Sequence, residues 1–130
     1  QIQRGVDVIA VSPNSPDALN QVLDRARAAG ILVLMVNGDI VGSEAYRDAA
    51  ILPVDFTRTG PGQVELLGSM IDYQGQIAIL SATTDAPDQN TWIAAMVNAL
   101  ETDPKYANME LVATVYGDDE PQKSTTEAEA

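Results

Sequence analysis

The polar side chains with the clearest chemical capacity follow a short apolar run in the second half of the chain. The run 77–80 ends at Ser81, and a loop rich in side-chain oxygens then leads to Asp88, Gln89 and Asn90. In an open parallel sheet, ligands bind beyond the carboxyl ends of the strands, where the loops meet the N-termini of the helices. Carboxylates and amides at such a place can hydrogen-bond to a small molecule that carries several hydroxyl groups. The sequence therefore predicts a site for a small polar ligand here.

A second polar group ends an earlier apolar run. Asn37 and Asp39 follow the run 31–36, which is typical of a buried parallel strand. Their position matches that of the first group, since both lie just after a predicted strand. The sequence Asn-Gly-Asp is also a common turn signal, so a turn and a ligand contact are both open interpretations of these two residues.

Structural interpretations are open for the other polar residues as well. Asp88 can act as the N-cap of its helix, a position that favours Asp, and this role is compatible with ligand binding. The segment 83–85 is interpreted as a solvated loop. Trp92 precedes the apolar stripe that begins at Ile93, so it is interpreted as partly packed against the sheet.

Composition narrows the class of protein. The chain has 130 residues and is 45% hydrophobic, as is ordinary for a globular protein. Seven Lys and Arg against nineteen Asp and Glu give a formal net charge of −12, which repels phosphate backbones, so nucleic acid is excluded as a partner. The chain has no histidine and no cysteine, and thus lacks the commonest general base and thiolate metal ligands. No apolar run approaches the ~18 residues that span a bilayer, so the chain is not predicted to cross a membrane.

Two local patterns could suggest a cofactor or a metal, and neither fits. The acidic residues 118–120 lack the ligand spacing of a calcium loop, and a helix N-terminus that favours carboxylates accounts for them. The glycines of 60–62 lack the third glycine of a dinucleotide-binding loop, because Glu65 stands at its place. No cofactor and no metal are therefore expected.

Apolar runs and helical stripes alternate along the chain, which predicts α/β architecture with parallel strands. Ser15 is predicted to cap the first helix, which Pro16 begins and Gly30 ends. Buried strands are predicted at 6–11, 31–36, 77–80 and 111–116, with a short or edge strand at 51–54, where Pro53 lacks an N–H donor.

The segment 57–62 combines Thr, Arg, Gly and Pro and is typical of a crossover or hinge. It predicts two parts, 1–55 and 56–130, joined near 55–62, with 56–59 as a hinge strand. Parts with so few parallel strands are marginal alone. We therefore expect either that the chain is a piece of a longer protein or that it borrows strands from a partner. The isolated chain should then unfold without a cooperative transition, or associate to complete its sheets.

Several stretches resemble the type I periplasmic sugar-binding proteins of ABC importers. The similarity extends over essentially the whole chain, and its most specific part is the run Asp-Gln-Asn-Thr-Trp at 88–92. That run and the later segment 115–124 are most similar to the rhamnose-binding and furanosyl-autoinducer-binding subgroup. The stretches 5–19 and 28–37 resemble the third and fourth βα units of the family, although Asn37 stands where the family often has Asp.

The resemblance implies a periplasmic binding protein type I fold, with two partial Rossmann-like lobes, parallel sheets and the ligand between the lobes. Residues 1–55 would be the later part of lobe one and 56–130 the earlier part of lobe two. The ligand-binding residues would be Asn37, Asp39, Asp88 and Gln89. The protein would not be an enzyme, and would capture a rhamnose-like monosaccharide or a furanosyl autoinducer. It would deliver this ligand to ABC transporter permease subunits from a periplasmic or lipid-anchored extracytoplasmic location.

Two other functions are open at this stage. The same two-lobed fold forms the effector-binding core of sugar-responsive transcription regulators. A basic helix-turn-helix upstream would favour such a regulator, and a signal peptide upstream would favour transport. A carboxylate pair such as Asp39 and Asp88 could also hydrolyse a glycoside, although the chain resembles no hydrolase.

Overall fold

The computed structural model describes residues 1–13, 16–39, 42 and 44–130. The predicted N-cap Ser15 lies outside this set. The described chain divides into two compact units, Gln1–Val54 and Asp55–Ala130, which we call unit 1 and unit 2.

Strands and helices alternate, which confirms the predicted parallel α/β class. The strands are β1 (Val8–Val11), β2 (Leu32–Val36), β3 (Ala49–Ile51), β4 (Gln74–Ser81) and β5 (Asn108–Tyr116). The helices are α1 (Pro16–Ala28), α2 (Phe56–Met70), α3 (Pro87–Thr102) and α4 (Pro121–Glu129), and short 3-10 helices lie at Ile2–Arg4, Glu44–Tyr46 and Pro104–Tyr106. None of the helices in the described ranges combines the length and the apolar character that crossing a bilayer requires.

Unit 1 is a parallel sheet in the order β1-β2-β3, with α1 packed against it. Helix α1 ends as predicted: Gly30 takes the left-handed conformation, with φ of +80°, and the N–H of Ile31 donates to the carbonyl oxygen of Ala26 at 3.1 Å. The buried core of the unit joins α1 to the central strand and consists of Leu23, Ala26, Ile31, Val33 and Met35.

Strand β3 is short and lies at the edge of the sheet, as predicted, but it begins and ends earlier than expected. It spans Ala49–Ile51 instead of 51–54. Asp48 fixes this register, because its N–H donates to the carbonyl oxygen of Val33 at 2.8 Å, one residue before the pairing of Leu34 with Ala49. The strand is therefore complete before Pro53, which cannot donate to a ladder.

The predicted hinge strand at 56–59 is wrong, because these residues form the first turn of α2. Asp55 caps this helix: its carboxylate accepts hydrogen bonds from the backbone N–H of Thr57 at 3.0 Å and from the Thr57 hydroxyl at 2.6 Å. The helix also continues through Pro61. The change from unit 1 to unit 2 falls directly before this cap, and a hinge function for it remains a prediction.

Gly60 lets α2 approach α3 closely. A Cβ atom at this position would lie 2.6 Å from the Cβ of Ala95 and 2.7 Å from the carbonyl oxygen of Trp92, both on α3. The glycine that the sequence suggests as a chain breaker is therefore a packing residue, and tertiary contact outweighs its low helix propensity.

Unit 2 is a parallel pair of strands, with register from Gln74 opposite Asn108 to Ser81 opposite Tyr116. Helices α2 and α3 pack on each other beside it. Beyond the strands, the N–H of Gly117 donates to the carbonyl oxygen of Ser81 at 2.9 Å, which ties the two carboxyl-end loops together. The buried core of this unit consists of Val64, Ile77, Met96, Ala99, Tyr106 and Met109.

Candidate functional site

In unit 1, the predicted residue Asn37 follows the last residue of β2. It takes the left-handed conformation with φ of +70°, which Asn tolerates better than most residues. Its backbone N–H donates to the carbonyl oxygen of Ile51 at 3.0 Å, and its side chain is exposed. The turn interpretation therefore describes the backbone correctly, and the exposed amide remains available for the predicted ligand contact.

Asp39 is held by an arginine that sequence reasoning did not identify. The Arg47 Nε atom donates to Oδ1 of Asp39 at 2.9 Å, and Nη2 donates to Oδ2 at 2.6 Å. The side chains are only 20% and 19% exposed, respectively. The hydrogen bonding of Arg47 to the Asp39 carboxylate is the largest cause that raises the pKa of Arg47, and nearby Glu44 raises it further. The result is a bidentate, charge-assisted pair at the carboxyl end of β2.

The backbone on both sides of Arg47 is fixed by a second pair. The N–H of Val33 donates to Oδ2 of Asp48 at 2.8 Å, and Nη2 of Arg27 donates to Oδ1 of Asp48 at 3.1 Å. Arg27 also donates from Nη1 to the carbonyl oxygen of Ala45. The Val33 hydrogen bond is the main cause that lowers the pKa of Asp48. Arg47 thus projects from a segment that is anchored to α1 and β2.

In unit 2, the other two predicted residues lie in the first turn of α3. The N-cap position belongs to Ala86, which makes no side-chain capping bond, and Pro87 is the first helical residue. The interpretation of Asp88 as the N-cap is therefore wrong, because Pro87 begins the helix one residue earlier. Asp88 and Gln89 are both half-buried, and a carboxylate in the first turn still benefits from the helix dipole.

A cleft of about 310 Å³ lies in unit 2 beside Gln89. Its wall is apolar, from Ile79, Ile93 and Met96, and Ser81 and Gln89 contribute polar groups. The cleft begins at the carboxyl end of β4, as expected for a ligand site of an open parallel sheet. A cleft of about 290 Å³ in unit 1 is lined mainly by aliphatic side chains of β1 and α1 and lacks comparable polar groups at a strand end.

Three covered polar atoms lie around this end of β4 without a hydrogen-bond partner in the described part of the chain: Ser81 Oγ, Thr83 Oγ1 and Trp92 Nε1. Trp92 packs on Phe56 of α2 with ring centroids 6.1 Å apart, and its packing against the sheet stays a prediction. Thr84 and Asp85 are exposed, in line with the interpretation of 83–85 as a solvated loop, whereas Thr83 is half-buried. Most buried polar groups in proteins are paired, and three unpaired ones together mark a place with unused hydrogen-bonding capacity.

The loop that carries these atoms is anchored to α3. Asn90 Nδ2 donates to the carbonyl oxygen of Thr84 at 2.9 Å, and the Asn90 N–H donates to the carbonyl oxygen of Ala86 at 3.0 Å. Asn90, which the sequence groups with Asp88 and Gln89, is therefore a loop anchor in the structure. It fixes the chain between Ser81 and the first turn of the helix.

The most strongly perturbed carboxylate of unit 2 lies elsewhere. Glu65 accepts hydrogen bonds from Lys105 Nζ at 2.7 Å, from Tyr73 Oη at 2.8 Å and from Tyr106 Oη at 2.8 Å. These bonds, led by that from Lys105, lower the pKa of Glu65 to about 2. The partners precede the first residues of β4 and β5, at the sheet end opposite the cleft. Every partner is internal, so we interpret this group, the Glu65 cluster, as structural.

The structure thus places each predicted pair at the carboxyl end of a strand in its own unit: Asn37 and Asp39 after β2, Asp88 and Gln89 after β4. No group of three or more residues suited to metal binding occurs among the residues that the structure describes. The arrangement in each unit offers amide and carboxylate groups for neutral hydroxyls.

Comparison with known proteins gives consistent matches. A family model described as "Periplasmic binding protein domain" matches residues 1–130. An ABC transporter solute-binding protein from Clostridium phytofermentas with bound L-rhamnose is 32% identical over 98% of this chain and 39% of its own, with a TM-score of 0.91. One from Burkholderia graminis C4D1M in complex with D-arabinose is 30% identical over 98% of this chain and 42% of its own, with a TM-score of 0.87. A sugar ABC transporter protein from Actinomyces odontolyticus ATCC 17982 is 36% identical over 98% and 40%, with a TM-score of 0.63.

These matches show the fold, and they extend over only part of the length of the solved relatives. The parallel α/β architecture matches the type I fold of periplasmic binding proteins. The chain spans about two fifths of each of the first two solved structures, 39% and 42%. The search of curated proteins gives no match.

Proposed function

The chain belongs to the periplasmic binding protein domain family, and from this premise we propose that it is part of the solute-binding component of a sugar ABC importer. The intact protein binds a small sugar between two lobes and delivers it to permease subunits outside the cytoplasm. Its role is binding and not catalysis, and its charge of −12 disfavours nucleic acid as a partner.

The observation that carries this proposal is the carboxyl end of β4. Gln89 and Ser81 line a cleft with an apolar wall, and three covered polar atoms nearby have no partner among the described residues. A monosaccharide has hydroxyl groups that both donate and accept, and C–H surfaces that fit an apolar wall. Binding sites of this kind combine a mainly apolar lining with a few placed polar groups.

We assign ligand contact to Asn37, Asp39, Asp88 and Gln89. The amides of Asn37 and Gln89 both donate and accept, whereas the carboxylates accept only, so together they address hydroxyls in either direction. Since Asn37 stands where the family often has Asp, this position favours a hydroxyl that accepts as well as one that donates. The solved relatives hold L-rhamnose and D-arabinose, and we propose a neutral monosaccharide of this class, rhamnose-like, or a furanosyl autoinducer.

Titration calorimetry of the intact protein with L-rhamnose, D-arabinose and the furanosyl autoinducer tests this function. We expect saturable binding of one molecule of at least one of them, and recovery of that ligand chemically unchanged. Absence of heat and of any thermal stabilisation with all three would contradict the proposed ligand class. A helix-turn-helix in the flanking coding sequence, in place of a signal peptide, would favour the effector core of a transcription regulator instead.

A further inference from the structure

The turn that follows β2 is fixed at both of its ends. At the first end, the N–H of Asn37 donates to the carbonyl oxygen of Ile51. At the other end, the carboxylate of Asp39 receives two hydrogen bonds from Arg47, at 2.9 and 2.6 Å. Asn37 has a φ of +70°, a conformation that costs a non-glycine residue free energy and persists only where the surroundings enforce it.

Arg47 is well suited to enforce this conformation. The chain is anchored on both sides of it: Arg27 holds the carbonyl of Ala45, and Asp48 is bound by Val33 and Arg27. The guanidinium is planar, so two parallel hydrogen bonds fix the orientation of a carboxylate and not only its distance.

We propose that Arg47 is a positioning residue for the ligand site: through Asp39 it holds the turn after β2 in the conformation that presents the Asn37 amide to the ligand. This inference rests on the proposed function. Arg47 itself does not contact the sugar in this arrangement. Its charge offsets that of Asp39, so the pair suits a neutral ligand, and Glu44 also acts on the charge of Arg47.

The test compares two variants of Arg47 in the intact protein, by titration with whichever of L-rhamnose, D-arabinose and the furanosyl autoinducer the wild type binds most tightly. Arg47→Gln removes both the charge and the planar guanidinium that makes two parallel hydrogen bonds to Asp39. We expect this variant to bind the sugar about tenfold more weakly. Arg47→Lys keeps the charge but not the planar fork, so we expect a loss of about threefold. Arg25→Gln on α1 is the matched control, because Arg25 is exposed and lies outside the site; its affinity should equal that of the wild type.

A double-mutant cycle separates positioning from a general loss of stability. In an Asp39→Asn background, Arg47→Gln should have no further effect on affinity, because the arginine acts through Asp39. Thermal unfolding of the ligand-free variants is measured in parallel, and if Arg47→Gln fails to fold, Arg47→Lys carries the test. Wild-type affinity in a folded Arg47→Lys and Arg47→Gln would overturn this inference alone. Failure of the wild type to bind any of L-rhamnose, D-arabinose and the furanosyl autoinducer would overturn the proposed ligand class, and the inference with it.

Discussion

The two ends of the β4–β5 sheet differ in whether their polar groups have hydrogen-bond partners within the unit. At the amino end, the carboxylate of Glu65 is bound by an ammonium group and two phenol hydroxyls of its own unit. At the carboxyl end, Ser81 Oγ, Thr83 Oγ1 and Trp92 Nε1 are covered but have no partner within the described residues. The polar groups at the amino end are thus paired within the unit, whereas those at the carboxyl end can still form hydrogen bonds with a ligand.

The difference separates a stabilising cluster from a binding surface by physical criteria. A perturbed pKa alone would have selected Glu65 as the functional residue, since perturbed groups concentrate at functional sites. Its partners, however, account for the whole perturbation. A buried polar atom without a partner costs free energy in the unliganded protein, and that cost is recovered when a ligand supplies the missing hydrogen bond. The carboxyl end is therefore where binding should be measured.

The largest effect is expected at Asp88. Asp88→Asn removes a charged acceptor, and we expect sugar affinity to fall about tenfold or more, as for the loss of a hydrogen bond worth roughly 1.5–3 kcal/mol. Since Ala86 is the N-cap, the change removes no N-cap residue, and loss of the dipole contribution of the charge costs the fold about 0.3–1 kcal/mol. Titration calorimetry and thermal unfolding measure the two effects.

Asp103→Asn is the control for Asp88, because Asp103 caps the 3-10 helix at the amino end and Asn caps as well as Asp. Its sugar affinity should equal that of the wild type. Unchanged affinity in Asp88→Asn for a confirmed ligand would remove Asp88 from the site, and the contrast between the two ends would then depend on Ser81, Thr83 and Trp92.

Smaller changes in affinity and stability are expected when one hydroxyl group is removed at each end of the sheet. Ser81→Ala should weaken sugar binding about threefold to tenfold, while the ligand-free protein keeps its stability or gains up to about 1 kcal/mol, because an unpaired hydroxyl is removed. Tyr106→Phe should lower stability by about 1 kcal/mol and leave affinity unchanged, because its hydroxyl is already bound to Glu65. Equal destabilisation by both changes would show that Ser81 has a structural partner, and would end the contrast.

Much of the fold is predictable because it depends on local pattern. The strands follow from continuous apolar runs, and the end of α1 follows from Gly30, whose positive φ is available to glycine at little cost. The position of Asn37 at the end of β2 and that of Gln89 in the first turn of α3 follow from the same runs and from the family resemblance. Each of these features needs only residues that are close in sequence.

The features that escaped prediction depend on contacts that no local sequence pattern specifies. The pairing of Asp39 with Arg47 joins two residues whose separation carries no periodic signal. The start of α2 was missed because Gly60 is a poor helix former locally, whereas its close contact with α3 favours the helix. Whether the Ser81 hydroxyl has a hydrogen-bond partner depends on its burial and on its neighbours in the folded unit. Secondary-structure propensity carries no information on either.

The smallest expected effect is a dependence on pH at the amino end. The folded protein holds the pKa of Glu65 at about 2, below its ordinary value of 4.5. A carboxyl group whose pKa is lowered by folding stabilises the native state when it is ionised in both states, and this stabilisation is lost as the pH falls. Lys105 is the first cause of the shift, followed by the hydroxyls of Tyr106 and Tyr73.

The free energy of unfolding of the intact protein should therefore differ between wild type and Glu65→Gln in a pH-dependent way. Above pH 4.5 the full contribution of the Glu65 carboxylate is present, and between 4.5 and about 2 it should decline progressively. Denaturant unfolding at a series of pH values measures this difference, and Lys105→Gln should reduce its pH dependence by removing the first cause. Because the cluster lies at the end opposite the cleft, Glu65→Gln should leave sugar affinity unchanged at neutral pH. A difference in stability that stays constant from pH 6 to pH 2, or a loss of affinity in Glu65→Gln, would contradict the division of the sheet into a stabilising end and a binding end.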